Sequence, residues 1–181
     1  MLISKRKLLG TLLASTIIGI FFATGSPLLG APIPGGPGFV SVGSFEFKPV
    51  VPSLPYSYIS NRLYSTTGGL FLAPVYLPHG ATITQVVLYY VDSGPADIVV
   101  LLLSIPFDDP AVPNKIVEMK PTGANSVQRT LIVNTFPNGS IIDNQSNFYV
   151  LSMVLQAGDN YQIAGVRIDY SYPINLPLIM K

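Results

Sequence analysis

The sequence predicts an all-β protein: an antiparallel β-sandwich of about eight strands, jelly-roll-like, preceded by an N-terminal signal helix. Three observations carry this. After Pro55 the chain breaks into short runs rich in Val, Ile, Leu, Tyr and Thr, interrupted by Gly, Pro, Asn or Asp about every eight to twelve residues, the spacing of sandwiches and barrels. None of these runs keeps a 3.6-residue apolar period, so almost no further helix is expected. In the last run, Tyr161 to Tyr172, the set Ala164, Val166, Ile168, Tyr170 and Tyr172 alternates with Gly165, Arg167, Asp169 and Ser171, the mark of a strand with one packed and one wet face.

The chain opens on Lys5, Arg6 and Lys7, followed by an uncharged apolar run from Leu8 to Phe22. This is the layout of a secretory signal peptide, assigned to residues 1–25. The run is short for a bilayer span of about 20 apolar residues, although retention as an uncleaved anchor stays open. Ala23-Thr24-Gly25 supplies the small residues that signal peptidase requires, and a cut there releases Ser26. A cut after Ala31 would place Pro32 directly behind it, a poor fit to an extended protease cleft. The protein is therefore expected to be secreted or extracellular, free or associated with the cell surface, without a stable transmembrane span once cleaved. The sequence contains no cysteine, which excludes a lipid-modified N-terminal cysteine, disulfides and thiolate chemistry.

Residues 26–55 carry seven prolines and five glycines, among them Pro27, Pro32, Pro34, Pro37, Gly35 and Gly36. Such a segment cannot hold a helix or a central strand. It reads as an extended spacer, with one edge strand at 39–48 (FVSVGSFEFK). The sandwich domain proper is assigned to 56–176 and a tail to 177–181. Strands are expected at 57–64, 70–76, 82–92, 97–105, 115–120, 127–135, 147–156 and 161–172. In the penultimate strand Tyr149, Leu151, Met153 and Leu155 form the inward set.

Ile98 to Leu103 (IVVLLL) does not alternate at all. A strand apolar on both faces is covered on both, so it belongs inside a sheet with a loop, the N-terminal segment or another subunit over its outer face. This doubled apolarity is the signal for self-association through an apolar sheet face. An outer-membrane barrel of eight strands is also open for an exported, apolar β protein. Against it, several runs are short, Pro-flanked or continuously apolar, where such a barrel needs alternating strands of about ten residues.

Charged residues make up 10% of the chain, far below the roughly 25% of an ordinary soluble domain. Without residues 1–25, seven basic residues face nine acidic ones. The basic residues are scattered singly, so there is no footprint for nucleic acid.

The search for chemistry is short. His79 is the only histidine; a hydrolase would have to use it, yet it lies among Pro and Gly in a turn, with no G-x-S-x-G pattern in the chain. Glu46 and Glu118 are the only glutamates, and neither is placed as a glycosidase pair. Asp92, Asp108, Asp109, Asp143 and Asp159 mark turns. Calcium is the one metal left open, with Asp108, Asp109, Asp143 and Asn144 as candidate ligands, though none has the spacing of a dedicated loop. Asn138-Gly-Ser140 and Asn144-Gln-Ser146 match the N-glycosylation pattern formally. The ten tyrosines suit sugar or protein contacts, but Tyr89, Tyr90, Tyr149, Tyr161 and Tyr170 are equally explained as members of half-buried strands.

Leu77-Pro78-His79-Gly80-Ala81-Thr82-Ile83-Thr84, Asp143-Asn144 and Gly165-Val166-Arg167-Ile168-Asp169-Tyr170 together resemble a loose group of uncharacterised exported bacterial β-sandwich proteins. That group has an LPxGAxxT turn, a mid-domain Asp-Asn and a terminal GVRIxY strand. The resemblance spans about residues 70 to 172 and implies a fold, since no activity attaches to the group.

The expectation is therefore a non-enzymatic, exported structural or interaction module. The alternatives are a carbohydrate-binding module using exposed tyrosines, with a polysaccharide or surface protein as partner, a His79 hydrolase and a small membrane barrel. A planar row of exposed aromatics would favour sugar; an apolar face without one would favour subunit contact.

Overall fold

The computed structural model describes residues 36–172; the signal-peptide assignment, residues 26–35 of the spacer, residues 173–176 of the sandwich assignment and the 177–181 tail lie outside them. Eleven strands form two antiparallel sheets. The first sheet contains β1 (Pro37–Gly43), β3 (Tyr56–Ile59), β4 (Arg62–Ser65), β6 (Thr82–Asp92), β9 (Asn125–Val133) and β11 (Gly158–Ser171). The second contains β2 (Lys48–Pro49), β5 (Gly69–Val75), β7 (Val99–Pro106), β8 (Asn114–Met119) and β10 (Asn147–Leu155). The order is β3-β4-β11-β6-β9 in the first and β2-β5-β10-β7-β8 in the second. On the remaining side of β11, β4 pairs with its start and β1 with its end.

The core lies between the sheets, where period-2 alternation directs one apolar set from each. Leu63, Ile83, Leu88, Ile163 and Ile168 of the first sheet and Phe71, Leu102, Leu151 and Met153 of the second are all buried. The inward set Tyr149, Leu151, Met153 and Leu155 is buried as the sequence predicts. Two separate sheets around an apolar core are not a closed barrel with a polar lumen, which removes the membrane-barrel alternative. No helix among the described residues is long and apolar enough to cross a membrane.

Three expectations are corrected. The run 57–64 is not one strand but the hairpin β3–β4, because Ser60 and Asn61 take φ of 49° and 62°. Two consecutive left-handed residues are what a tight two-residue hairpin loop demands. The run 39–48 is likewise split. Its first part lies in β1 at the edge of the first sheet, Ser44–Glu46 turns as a single 3-10 coil, and Lys48–Pro49 joins the second sheet. These divisions raise the strand count from about eight to eleven.

The third correction concerns β11. A bulge between Ile163 and Gly165 resets its alternation. Before the bulge Tyr161 and Ile163 point inward; after it Val166, Ile168 and Tyr170 do. Ala164, expected inward, falls in the irregular step and is only half-buried. On the wet face Arg167 and Asp169 pair at 3.0 Å.

Candidate functional site

The corner between β5 and β6 and the corner between β9 and β10 meet at one end of the sandwich. Gly80 takes φ +78°, open to glycine, and Ala81 N–H donates to Pro78 C=O at 3.2 Å, closing the first corner. Backbone bonds join it to the second: Gly80 N–H donates to Ile142 C=O at 2.7 Å, and Ile142 N–H to Ala81 C=O at 2.8 Å.

Side chains complete the junction. Asn144 N–H donates to His79 Nδ1 at 3.1 Å, and Asn144 Nδ2 donates to Leu77 C=O at 2.7 Å. The buried Tyr149 hydroxyl accepts from Asp143 N–H at 2.7 Å. Asp143 Oδ1 accepts from Gln145 N–H at 3.0 Å and lies 3.6 Å from His79 Nδ1. The Ser146 hydroxyl first, and then the Gln145 N–H, hold the Asp143 carboxyl below the usual aspartate range. Burial pushes the Tyr149 phenol up.

Thus the structure brings together His79, Asp143, Asn144 and Tyr149, which the sequence flags only separately. What they build is a tie between two turns. The His79 nitrogen that faces Asp143 is already engaged by a backbone N–H, as a turn requires. The other candidates are dispersed. Asp109 Oδ1 accepts from Ala111 N–H at 3.3 Å, its own turn. Glu118 pairs with Lys115 at 2.7 Å, and Glu46 accepts from Gly43 N–H at 2.8 Å. Among the described residues no three His, Cys, Asp or Glu side chains gather as metal ligands would. Asn138 Nδ2 is turned to Lys115 C=O at 2.7 Å.

Two concavities flank this tie. One, of about 780 Å³, is lined by polar groups including Ser104, Asn114, Asn138, Ser140 and Asp143, with Tyr149 at its wall. The other, of about 700 Å³, is apolar, bounded by Pro74, Tyr76, Pro78, Phe107 and Phe148, with Asn144 and Asn147 among its few polar groups. Phe107 and Phe148 lie with ring centroids 5.6 Å apart, and Tyr76 is 80% exposed.

The apolar groove runs into the outer face of the second sheet. Pairing aligns Leu70, Val154 and Val99 across β5, β10 and β7; then Leu72, Ser152 and Leu101; then Pro74, Val150 and Leu103. All nine side chains share one face. Val100 and Leu102 point to the core and are buried, so IVVLLL is apolar on both faces and interior to its sheet, between β10 and β8. Along the β8 rim the charges pair within the chain, Lys115 with Glu118 and Lys120 with Asp97 at 3.0 Å.

The tyrosines read as strand members make no such platform, and the exposed Tyr56 meets Tyr58 edge-to-face rather than in a planar row. Tyr90, Tyr149, Tyr161 and Tyr170 are buried and Tyr89 is half-buried. Tyr161 accepts Ala96 N–H at 3.1 Å through its hydroxyl, and Tyr90 lies under the Arg129 guanidinium, 5.0 Å from the ring centroid. The exposed aromatics of the second sheet are instead Tyr76, Phe107 and Phe148 at its groove end.

No family model and no curated protein matches the sequence. Solved structures match loosely. The C-terminal CBM6 of LamC, a marine laminarinase from Zobellia galactanivorans, gives a TM-score of 0.47 at 8% identity over 72% of this chain and 98% of its own. The Podospora anserina GH26-CBM35 β-(1,4)-mannanase gives 0.44 at 11% identity, over 77% of this chain and 29% of its own. The Tobacco streak virus coat protein gives 0.37 at 13% identity, over 82% and 96%. None is near enough to transfer a ligand or a role to this chain.

Proposed function

We propose that this chain is an exported, non-enzymatic interaction module of jelly-roll order that works by pairing the outer face of its second sheet with that of a second copy. The strand order supports the jelly-roll reading: β4-β11-β6-β9 faces β5-β10-β7-β8, so the eight main strands interleave as two Greek keys do. The basic and apolar leader supports export. The observation that carries the interaction reading is the aliphatic face itself, with Leu70, Leu72, Val99, Leu101, Leu103, Val150 and Val154 in register.

Five residues along each of three strands make a patch of about 17 by 14 Å. A contiguous apolar patch of this order is within what monomers expose, and such patches are often contact surfaces. It is below what specific stable interfaces bury, so the pairing is weak and concentration-dependent. A second copy fits because an aliphatic face is complementary to itself about a two-fold axis; the charges at the β8 rim are paired within the chain, and Lys48, beside Leu72 at the other rim, donates to Phe45 C=O.

Carbene footprinting across a dilution series tests this. Labelling of Leu72, Leu101, Leu103 and Val154 is expected to fall as protein concentration rises, while the exposed Val127 and Ile132 of β9 keep constant labelling. Equal labelling of both groups at every concentration contradicts the proposal.

A second reading rests on the polar cavity. Its amides and hydroxyls at Ser104, Asn114, Asn138 and Ser140 suit the hydroxyls of a sugar. In the same footprinting experiment, oligosaccharides that shield this cavity and leave the aliphatic face labelled would favour it.

A further inference from the structure

The inner face of the second sheet changes character at one end. Pairing aligns Leu151, Leu102 and Val117 across β10, β7 and β8, three buried apolar side chains. Two residues further along β7, on the same face, the aligned row is Tyr149, Ser104 and Asn114. The core therefore opens into the polar cavity of about 780 Å³ instead of closing on aliphatic side chains. Polar side chains at inward positions break the apolar pattern of the row before them, and such breaks are found at functional sites. Another wall is the corner between β9 and β10, fastened on two sides. Ile83 N–H donates to Ser140 C=O at 2.8 Å, and Asn138 Nδ2 donates to Lys115 C=O at 2.7 Å. Strands and a tied corner hold the cavity's shape before any ligand arrives.

The wall is rich in hydrogen-bond acceptors. Asn138, with an amide hydrogen on Lys115 C=O, keeps its Oδ1 as an acceptor. Asp143 is held ionised by the Ser146 hydroxyl and the Gln145 N–H, and a carboxylate has lone pairs for further donors. Lys115, the cation of the wall, is paired with Glu118 at 2.7 Å. Such a wall suits a neutral ligand that brings several donors close together, as the adjacent hydroxyls of a sugar ring do. Ile116 and Ile141 offer its C–H surface apolar contact. A ligand carrying its own carboxylate is repelled by Asp143. We infer that this cavity binds a neutral saccharide, with adjacent sugar hydroxyls donating to the Asp143 carboxylate, and that it rejects uronic acids. This rests on the second reading above, that the cavity takes a sugar, and names the sugar's charge and the residue that selects it. No residue of the outer aliphatic face lines the cavity.

Two-dimensional NMR of the full-length protein tests this, titrated with tetrasaccharides of glucose, galactose and mannose and with the matching tetramers of their uronic acids. At least one neutral tetramer is expected to shift the side-chain amides of Asn114 and Asn138, and its uronate counterpart to bind at least about tenfold more weakly. Asp143→Asn is expected to weaken the neutral sugar by about tenfold or more and to narrow the gap to the uronate. Circular dichroism checks that this variant keeps the sandwich; if it does not, the comparison of each neutral tetramer with its uronate on the unaltered chain decides. Equal affinity within a pair, or undiminished binding by folded Asp143→Asn, overturns the inference. If Ser104→Ala still weakens that binding, the sugar reading of the cavity survives without it. No shift at Asn114 and Asn138 with any tetramer overturns both.

Discussion

Arg129→Met destabilises the fold by about 3–4 kcal/mol at neutral pH and makes its stability more dependent on acid. Asp92, at the end of β6, is 1% exposed, and its Oδ1 has no hydrogen-bond partner. The other compensation comes from the Gly94 and Ile98 backbone N–H groups and from the field of Arg129. The guanidinium also donates to Asp92 C=O at 3.1 Å and to Gly123 C=O, tying the end of β6 to the start of β9, and it covers Tyr90. Methionine keeps the stem and removes these charge-assisted bonds, each worth about 1.5–3 kcal/mol, together with the field of Arg129, so that the Asp92 carboxyl is supported by the Gly94 and Ile98 N–H groups alone.

Burial already holds the Asp92 carboxyl above the usual aspartate range, while Arg129 pulls it down. With the folded value above the unfolded one, the native state takes up the proton first. Stability contributed by this group therefore rises as pH falls through the folded value toward about 3.9. Without Arg129 the folded value moves higher, so the gain begins at higher pH. Urea melts of both proteins at neutral and mildly acidic pH check this: the deficit of the variant should narrow with acid. A deficit under about 1 kcal/mol, or one constant with pH, contradicts the description of Asp92.

Phe71→Ala costs about 4 kcal/mol. Phe71 is fully buried at the centre of β5, paired with Met153, and meets Tyr56 edge-to-face at 5.8 Å. Truncation leaves a cavity that two hydrogen-bonded sheets cannot close, and removes an aromatic pair between β5 and the β3–β4 hairpin. Phe71→Leu should lose much less, since it retains most of the volume. Equal losses for the two variants would mean that volume at this position is not what stabilises it.

Much of the fold is legible in the sequence because short β-rich runs between turn residues mark the main strands, and the residues of a strand fall alternately on its two faces. Ile98 to Leu103 is the clearest instance: doubled apolarity in the sequence becomes Val100 and Leu102 in the core and Val99, Leu101 and Leu103 on the outer face. What is not legible depends on backbone conformation. Ser60-Asn61 is a weak turn signal without glycine or proline, so β3 and β4 read as one run. The bulge at Gly165 leaves the composition of β11 unchanged while altering which residues face inward. The junction of His79 with Asp143 and Asn144 is hidden for a different reason. Each turn is readable alone, but their contact spans about 65 residues and is set by the order of strands. The groove is hidden in the same way, since Tyr76, Phe107 and Phe148 come from three separate segments.

The central claim is that the aliphatic face of the second sheet pairs two copies, and the molar mass of Leu101→Lys beside the unaltered chain tests it most directly. Leu101 lies in the middle row of that face, opposite Ser152 and Glu118, half-exposed enough for a lysine to stay solvated in the monomer. By light scattering over a range of concentrations, the unaltered chain is expected to rise from monomer toward dimer while Leu101→Lys remains monomeric with an unchanged circular dichroism spectrum. A monomer throughout for the unaltered chain, or a dimer that the lysine leaves intact, would contradict the account.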